Sequence, residues 1–320
     1  MTYQLEDGYD VVVVGGGAAG LNGALMLARS RRTVVVIDAG EPRNAPAAGV
    51  HGLLARDGVT PAELLERGRE EVRGYGGHVV SGEVVDAVRE DDGFTVRLAD
   101  GRTVDARRLL VTTGLTDELP EVPGLRERWG RDVVHCPYCH GWEVRDHAIG
   151  VLASSPLSVH QALLFRQLSD DVTYFTHSTA PLSEEETEQL IARGIRVVHG
   201  EVAELEIGDD QITGVRLVDG TVIGRQVVAV ATRMVARAGF LKRLGLTPTE
   251  HPMGELISAD AAGRTDVPGV WVAGNVTDLA AQVGNAAAAG AAAAGQINAD
   301  LVAEDTRTAV DAYRGRGDVG

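Results

Sequence analysis

Four consecutive valines, Val11-Val12-Val13-Val14, run straight into Gly15-Gly16-Gly17-Ala18-Ala19-Gly20, a helix-forming stretch from Leu21 to Ser30, and then Thr33-Val34-Val35-Val36-Ile37-Asp38. Few folds accept this order. Unbroken β-branched runs belong to sheets buried on both faces. A strand, a glycine turn, a helix and a second strand closed by an acid is the pattern of a dinucleotide-binding βαβ unit. Gly15 permits the tight turn, Gly17 lets a pyrophosphate approach the backbone, and Gly20 lets helix and strand pack closely, while the helix N-terminus faces the phosphate charge. Asp38 stands where a carboxylate accepts hydrogen bonds from a ribose. A purely structural glycine turn is the competing reading, and the flanking strands, the helix and the acid all favour binding.

Further along, Val79–Val88 and Phe94–Leu98 read as strands, with a turn at Ala99-Asp100-Gly101, and Arg108–Thr112 reads as a strand ending in Thr112-Thr113-Gly114. Val267–Asn275 gives another buried strand running into Gly274-Asn275, followed by a small-residue helix from about Asn285. The first and last thirds therefore form one domain, interrupted by a middle one. The middle repeats the opening design: strand Ala148–Ala153, helix Leu157–Leu168, strand Val172–Thr176. Its glycines are gone, replaced by Ala153-Ser154-Ser155-Pro156-Leu157-Ser158. Side-chain atoms at Ala153 and Ser155, and Pro156 without an N–H, obstruct the approach that glycine permits. After the second strand come His177-Ser178-Thr179 and Glu184-Glu185-Glu186, with no arginine pair for a 2′-phosphate. The middle domain is expected to keep the fold and to have lost tight NADPH binding.

Only two cysteines are present, Cys136 and Cys139, within His135-Cys136-Pro137-Tyr138-Cys139-His140-Gly141-Trp142-Glu143. No disulfide framework can hold the chain together. Two unrelated buried thiols is the bland reading. Covalent haem attachment needs export, and Met1–Asp10 has neither a basic n-region nor an apolar run, so a cytoplasmic protein is expected. A zinc site using the flanking histidines would crowd contiguous ligands around one tetrahedron. A redox dithiol fits best: one thiolate attacks an external sulfur and the other resolves the mixed disulfide. A helix N-terminus would lower the inner thiol's pKa, and His140 could exchange protons with the thiols. The 30 Lys+Arg against 46 Asp+Glu, a net charge of -16, oppose docking on nucleic acid or an anionic membrane. No stretch is long and apolar enough for a membrane span.

Over nearly its full length the chain resembles the low-molecular-weight thioredoxin reductase family. That resemblance implies an α/β fold of two Rossmann-like, three-layer ββα dinucleotide-binding domains: residues 1–117 and 245–320 binding FAD, and 118–244 a degenerate NADPH-type domain carrying the C-x-x-C. The motif departs from the family's C-A-x-C-D, with His140 where the reductases have a catalytic acid, and Gly274-Asn275 replaces Gly-Asp. With the degraded second loop and the missing H-R-R-type arginines, these departures resemble the dithiol oxidases that close disulfides in natural products such as gliotoxin, holomycin and romidepsin. The resemblance implies FAD as cofactor, a small-molecule dithiol substrate, dioxygen as acceptor giving hydrogen peroxide, and a homodimer. By the same resemblance Cys139 is the flavin-proximal thiol, Cys136 the outer one and His140 the acid–base group. Gly15, Gly17, Ala18, Ala19 and Gly20 hold the pyrophosphate, Asp38 the adenosine ribose, and Thr113 and Gly114 the middle of FAD. Gly274, Asn275, Gln282 and Val283 meet the flavin end. Arg43, Asn44 and His51 touch FAD or the substrate pocket, although His51 reads equally well as an ordinary surface or core histidine. Two other function classes remain open: a disulfide reductase fed by NAD(P)H or another donor, and a flavin redox sensor.

Overall fold

The computed structural model of the chain describes residues 5–317; residues 1–4 and 318–320, at the outer ends of the expected first domain, lie outside them. The described chain divides into two units, residues 5–43, 62–116 and 235–317 in the first and residues 44–61 and 117–234 in the second.

The first unit opens with β1 (Gly8–Val14), α1 (Ala18–Arg29) and β2 (Val34–Asp38), then α2 (Pro61–Gly74), β3 (His78–Ser81), β4 (Val84–Glu90), β5 (Gly93–Leu98) and β6 (Thr103–Val111). The strands lie in the order β3-β2-β1-β6-β5-β4, with β1, β2, β3 and β6 parallel and β4 and β5 an antiparallel extension. The four valines alternate between two cores. Val11 and Val13 pack with Leu27, Val36 and Ile297 on one face, and Val12 and Val14 with Phe94, Leu98 and Val111 on the other. Period-two alternation with apolar residues on both faces is what makes the run continuous. The stretch expected as one strand from Val79 to Val88 is two, β3 and β4, broken at Ser81-Gly82-Glu83, where a Cβ on residue 82 would lie 2.6 Å from Leu98 Cδ2.

The chain leaves through β7 (Leu115–Glu118) and builds the second unit from α3 (Leu125–Arg128), β8 (Val133–Val134), α4 (Pro137–His140), β9 (Ile149–Leu152), α5 (Ser158–Phe165), β10 (Val172–Phe175), α6 (Glu184–Ala192), β11 (Arg196–Val198), the antiparallel β12 (Val202–Gly208), β13 (Gln211–Leu217) and β14 (Val222–Ile223), and β15 (Val227–Val230). Its five-stranded sheet, β11-β10-β9-β15-β8, is parallel throughout. Just ahead of the dithiol the backbone is anchored by Arg128, whose buried guanidinium holds Asp132 and Asp210 at 2.7 Å each. The Arg128 pKa is held above its usual value, chiefly by the hydrogen bonds that it donates to Asp132, against the opposing effect of burial.

The return runs through β16 (Arg233–Ala236), a 3-10 turn at Gly239–Leu244, the hairpin β17 (Thr249–His251) and β18 (Gly254–Leu256), β19 (Val270–Val272) beside β6, and the 35-residue α7 (Val283–Gly317). The first unit thus resumes at residue 235, not at the expected 245, because Phe240, Leu241 and Leu244 of the 3-10 turn are buried in its core. Residues 44–61, expected in the first domain, group with the second. The small residues of α7 serve α1: a Cβ on Gly290 would lie 1.9 Å from Ala19 O, and one on Gly23 3.0 Å from Gly290 O. Despite its length, no helix among the described residues is long and apolar enough to cross a membrane.

Candidate functional site

In the first unit the sequence builds a cradle for an anion. Gly15 sits at φ +106, a conformation side chains disfavour, and Thr112 Oγ1 fixes the turn by donating to Val14 O at 3.0 Å and Gly15 O at 2.9 Å. A Cβ on Gly20 would lie 1.9 Å from Gly15 O, so only glycine lets α1 start this close to β1. Gly17 caps α1 without any side-chain hydrogen bond, and no acid lies in the helix's first turn. A Cβ there would meet no heavy atom within 4 Å. Free N–H groups at a helix start, with open space before them, suit a pyrophosphate.

Asp38 ends β2 with its carboxylate already oriented. Oδ1 accepts from Gly16 N at 3.2 Å and Gly40 N at 3.1 Å, and Oδ2 from Arg69 Nη2 at 3.2 Å. A carboxylate has about four lone-pair sites, so this one retains acceptor capacity for a ribose hydroxyl. Thr113 Oγ1 donates to Arg237 O at 2.6 Å, and Gly114 O accepts from Arg237 N at 3.0 Å. Asn275 donates its amide to Asp278 O at 3.0 Å and Ala281 O at 2.9 Å, which shapes the loop leading to Gln282 and Val283. Its Nδ2 is engaged by its own loop. The donors and the open space of this unit fit FAD.

The corresponding loop of the second unit is built differently. Ser158 Oγ, buried at the start of α5, accepts from Ser154 N at 3.1 Å and Ser155 N at 3.2 Å. Ser155 Oγ accepts from Leu157 N at 3.2 Å, and Ser154 Oγ donates to Ala231 O at 2.6 Å. The donors that a glycine loop would aim at a pyrophosphate are thus used by the loop's own serines. Beside it, at the carboxyl ends of β9, β10 and β15, lies a cavity of about 670 Å³ lined by Ser155, Tyr174, His177, Glu186 and Arg233 among others. Burial pushes the Tyr174 hydroxyl up to about 12, so the cavity wall is uncharged there.

Cys136 caps the single turn α4, and Cys139 Sγ donates to Cys136 Sγ across 2.8 Å. Both cysteines are half-buried. The helix at whose start the dithiol is expected is one turn long, Pro137–His140. Gln161 Nε2 donates to His135 O at 2.7 Å, and His135 Nδ1 donates to Val230 O at 3.1 Å, which fixes the residue preceding Cys136. His140 donates its backbone N–H to Cys136 O at 3.1 Å, and both of its ring nitrogens are buried with no hydrogen-bond partner among the described residues. Burial lowers the imidazole below its ordinary value; Glu143 opposes this, and His51 and His135 add to it. At neutral pH the ring is therefore uncharged and able to take a thiol proton.

The sign of the pH dependence follows. If His140 is the base of a thiol reaction, the acid limb of that reaction is expected below pH 6.5, with a plateau at pH 7, and His140→Asn is expected to lower the plateau and remove the limb; a pH–rate profile of both proteins checks this. The unfolded chain binds this proton first, so stability declines as pH falls from 6.5 toward the folded value.

Of the residues expected to meet FAD, all but Asn44 and His51 lie in the first unit. His51 instead contacts the dithiol segment, with Nε2 3.4 Å from Glu143 Oε1 and Nδ1 3.5 Å from Asp57 Oδ1. Sequence reasoning missed Arg69 and Thr112 in the cradle and Gln161 and Glu143 in the second unit; it named Ser158 in the degraded loop but not the two N–H groups that its hydroxyl holds. Only Glu143 carried a local signal, three residues beyond His140.

Comparison with known proteins agrees with this architecture. The family model described as pyridine nucleotide-disulphide oxidoreductase matches residues 9–293. The thioredoxin reductase tcpT of Claviceps purpurea is 31% identical over 306 residues, covering 92% of this chain and 95% of its own length. The thioredoxin reductase sirT of Leptosphaeria maculans is 28% identical over 314 residues, covering 93% and 95%. Among solved structures, HlmI superposes with a TM-score of 0.90 at 49% identity, covering 98% of each chain.

Proposed function

Since this chain belongs to the pyridine nucleotide-disulphide oxidoreductase family, as a thioredoxin reductase-like flavoprotein, we propose that it is an FAD-dependent dithiol oxidase that closes a disulfide in a small molecule. The observation carrying this reading is the second unit's loop, where Ser158 Oγ holds the N–H groups of Ser154 and Ser155. A chain that cannot cradle a nicotinamide dinucleotide must draw its electrons from another donor, and the thiols of the substrate are the donor at hand.

In this reading the resting enzyme carries Cys136 and Cys139 as a disulfide. His140 takes the proton of one substrate thiol, and the resulting thiolate attacks Cys136 Sγ, releasing Cys139 as thiolate. The second substrate thiol then attacks the mixed disulfide, so the substrate leaves as a disulfide and Cys136 and Cys139 are left reduced. Two electrons and two protons have moved from substrate to enzyme. FAD in the first unit's cradle would supply the two-electron chemistry that links the dithiol to dioxygen, the acceptor that would leave as hydrogen peroxide. The cradle of Gly15, Gly17, Ala18, Ala19 and Gly20, with Asp38 at its ribose end, holds that cofactor.

That tcpT and sirT are named thioredoxin reductases favours a second reading, a disulfide reductase running the same dithiol in the opposite direction. Anaerobic stopped-flow separates the two. Dithiothreitol is expected to bleach the flavin at least about a hundredfold faster than an equal concentration of NADPH, with one hydrogen peroxide per bleached flavin on admission of air. Fast bleaching by NADPH would sink the oxidase reading.

A further inference from the structure

Two exposed aromatic side chains belong to the dithiol segment, and an exposed leucine belongs to a loop tethered to it. Leu54, at 96% exposure, is the most exposed large apolar side chain of the described residues; Tyr138, between the two cysteines, is 68% exposed, and Trp142, three residues beyond Cys139, is 66% exposed. Arg145 lies over one face of the Trp142 ring, 4.2 Å from its centroid, and donates Nη1 to Trp142 O at 2.7 Å. A planar ring backed by a guanidinium on one side offers the other for stacking.

Leu54 belongs to a closed loop of the same unit. Val50 and Val59 pair at its base, with Val50 N donating to Val59 O and Gly58 N to Val50 O, both at 2.8 Å. Within it Gly52 N donates to Asp57 Oδ1 at 2.9 Å and Arg56 N to Leu53 O at 2.9 Å, while Ala55 turns at φ +64. These bonds hold Leu54 outward at the tip. His51, at the loop's root, lies 3.4 Å from Glu143, the neighbour of Trp142. The loop is thereby tethered to the segment that carries the dithiol.

We propose that Tyr138, Trp142 and Leu54 form the surface that grips the substrate beside Cys136, with His51 and Glu143 as positioning residues, and that the substrate is a dithiol borne on a flat, uncharged ring. This rests on the oxidase reading. Three side chains offer far less surface than the order of 1,000 Å² that a protein partner needs, and an amount suited to a small molecule. Contact between ring faces provides affinity that a polar dithiol cannot draw on.

The test compares 1,2-benzenedimethanethiol with dithiothreitol as substrates of the FAD-loaded full chain. Trp142→Ala is expected to lower the ratio of their kcat/KM values about tenfold, through KM, and Leu54→Ala about threefold. His51→Asn and Glu143→Gln each lower it about threefold, and the double substitution no further than either alone. Should Trp142→Ala fail to fold, Leu54→Ala, at a solvent-exposed tip, still reads the ratio. A ratio unchanged in Trp142→Ala and Leu54→Ala, or a preference for reduced thioredoxin over both dithiols, overturns the proposal. A separate readout needs no turnover: 1,2-benzenedimethanol, which has no thiols, is expected to slow iodoacetamide alkylation of Cys136 in the wild-type chain and not in Trp142→Ala. Absence of oxidation with either dithiol removes the oxidase reading, while absence of protection removes the ring-binding surface.

Discussion

Cys136→Ser is expected to purify as a yellow protein whose flavin is reduced by dithiols about a thousandfold more slowly than in the wild type. A serine hydroxyl forms no disulfide, so the step that accepts the substrate's electrons is gone. The fold should not notice. Cys136 is a half-buried N-cap of the one-turn α4 and makes no side-chain capping bond, and serine is a good N-cap, so stability should change by no more than about 0.5 kcal/mol. Flavin content and thermal melting check the second half, and anaerobic reduction the first. Cys139→Ser separates the roles of the two thiols. Offered a linear disulfide, Cys136 attacks one sulfur and releases the other as a thiol, and the mixed disulfide persists because the resolving thiol is missing. Intact mass should show the adduct on Cys139→Ser and not on Cys136→Ser; the reverse pattern would exchange the outer and inner assignments.

Gly20→Val and Gly290→Val are expected to yield protein without flavin and with a strongly lowered melting temperature. In both, the new Cβ lies 1.9 Å from a backbone oxygen, Gly15 O in one case and Ala19 O in the other. Backbone cannot swing aside as a side chain does. Relief requires α1 to leave β1, or α7 to leave α1, at a cost of about 3 kcal/mol or more. Either displacement moves the N–H groups at the start of α1 away from their common focus. Gly17→Ala provides the contrast. Its Cβ enters open space at an ordinary φ of -78, so the apoprotein should melt unchanged while FAD binds at least about tenfold more weakly, because that space is where the pyrophosphate belongs. Titration of apoprotein with FAD, read by flavin fluorescence, measures this; unchanged FAD affinity in Gly17→Ala would mean that the pyrophosphate lies elsewhere.

What was legible in the sequence is whatever short-range pattern determines. Val11–Val14 announce a doubly covered strand, the glycine turn and Asp38 follow within one βαβ unit, and the second unit repeats that order without its glycines. The dithiol and its flanking histidines are contiguous, so they too could be read directly. Contacts that only folding creates could not. Arg69 reaches Asp38 from 31 positions away, and His51 meets Glu143 across a longer separation still. Nor did the sequence show how short α4 is: a single turn, Pro137–His140. The loop at Ser154–Ser158 shows the limit most clearly. Its residues could be read as obstacles to a phosphate, but the capture of two N–H groups by one serine hydroxyl depends on backbone geometry that no spacing rule supplies.

That serine also bears on how reversible such a chain's history is. Restoring glycine at position 155 alone would leave Ser158 still holding both N–H groups, while removing the Ser158 hydroxyl alone would strand two donors in a loop still crowded by Ser155 and Pro156. Neither first step improves a nicotinamide site, and the second carries a penalty. A nicotinamide-binding loop here would therefore need changes at positions 155 and 158 together.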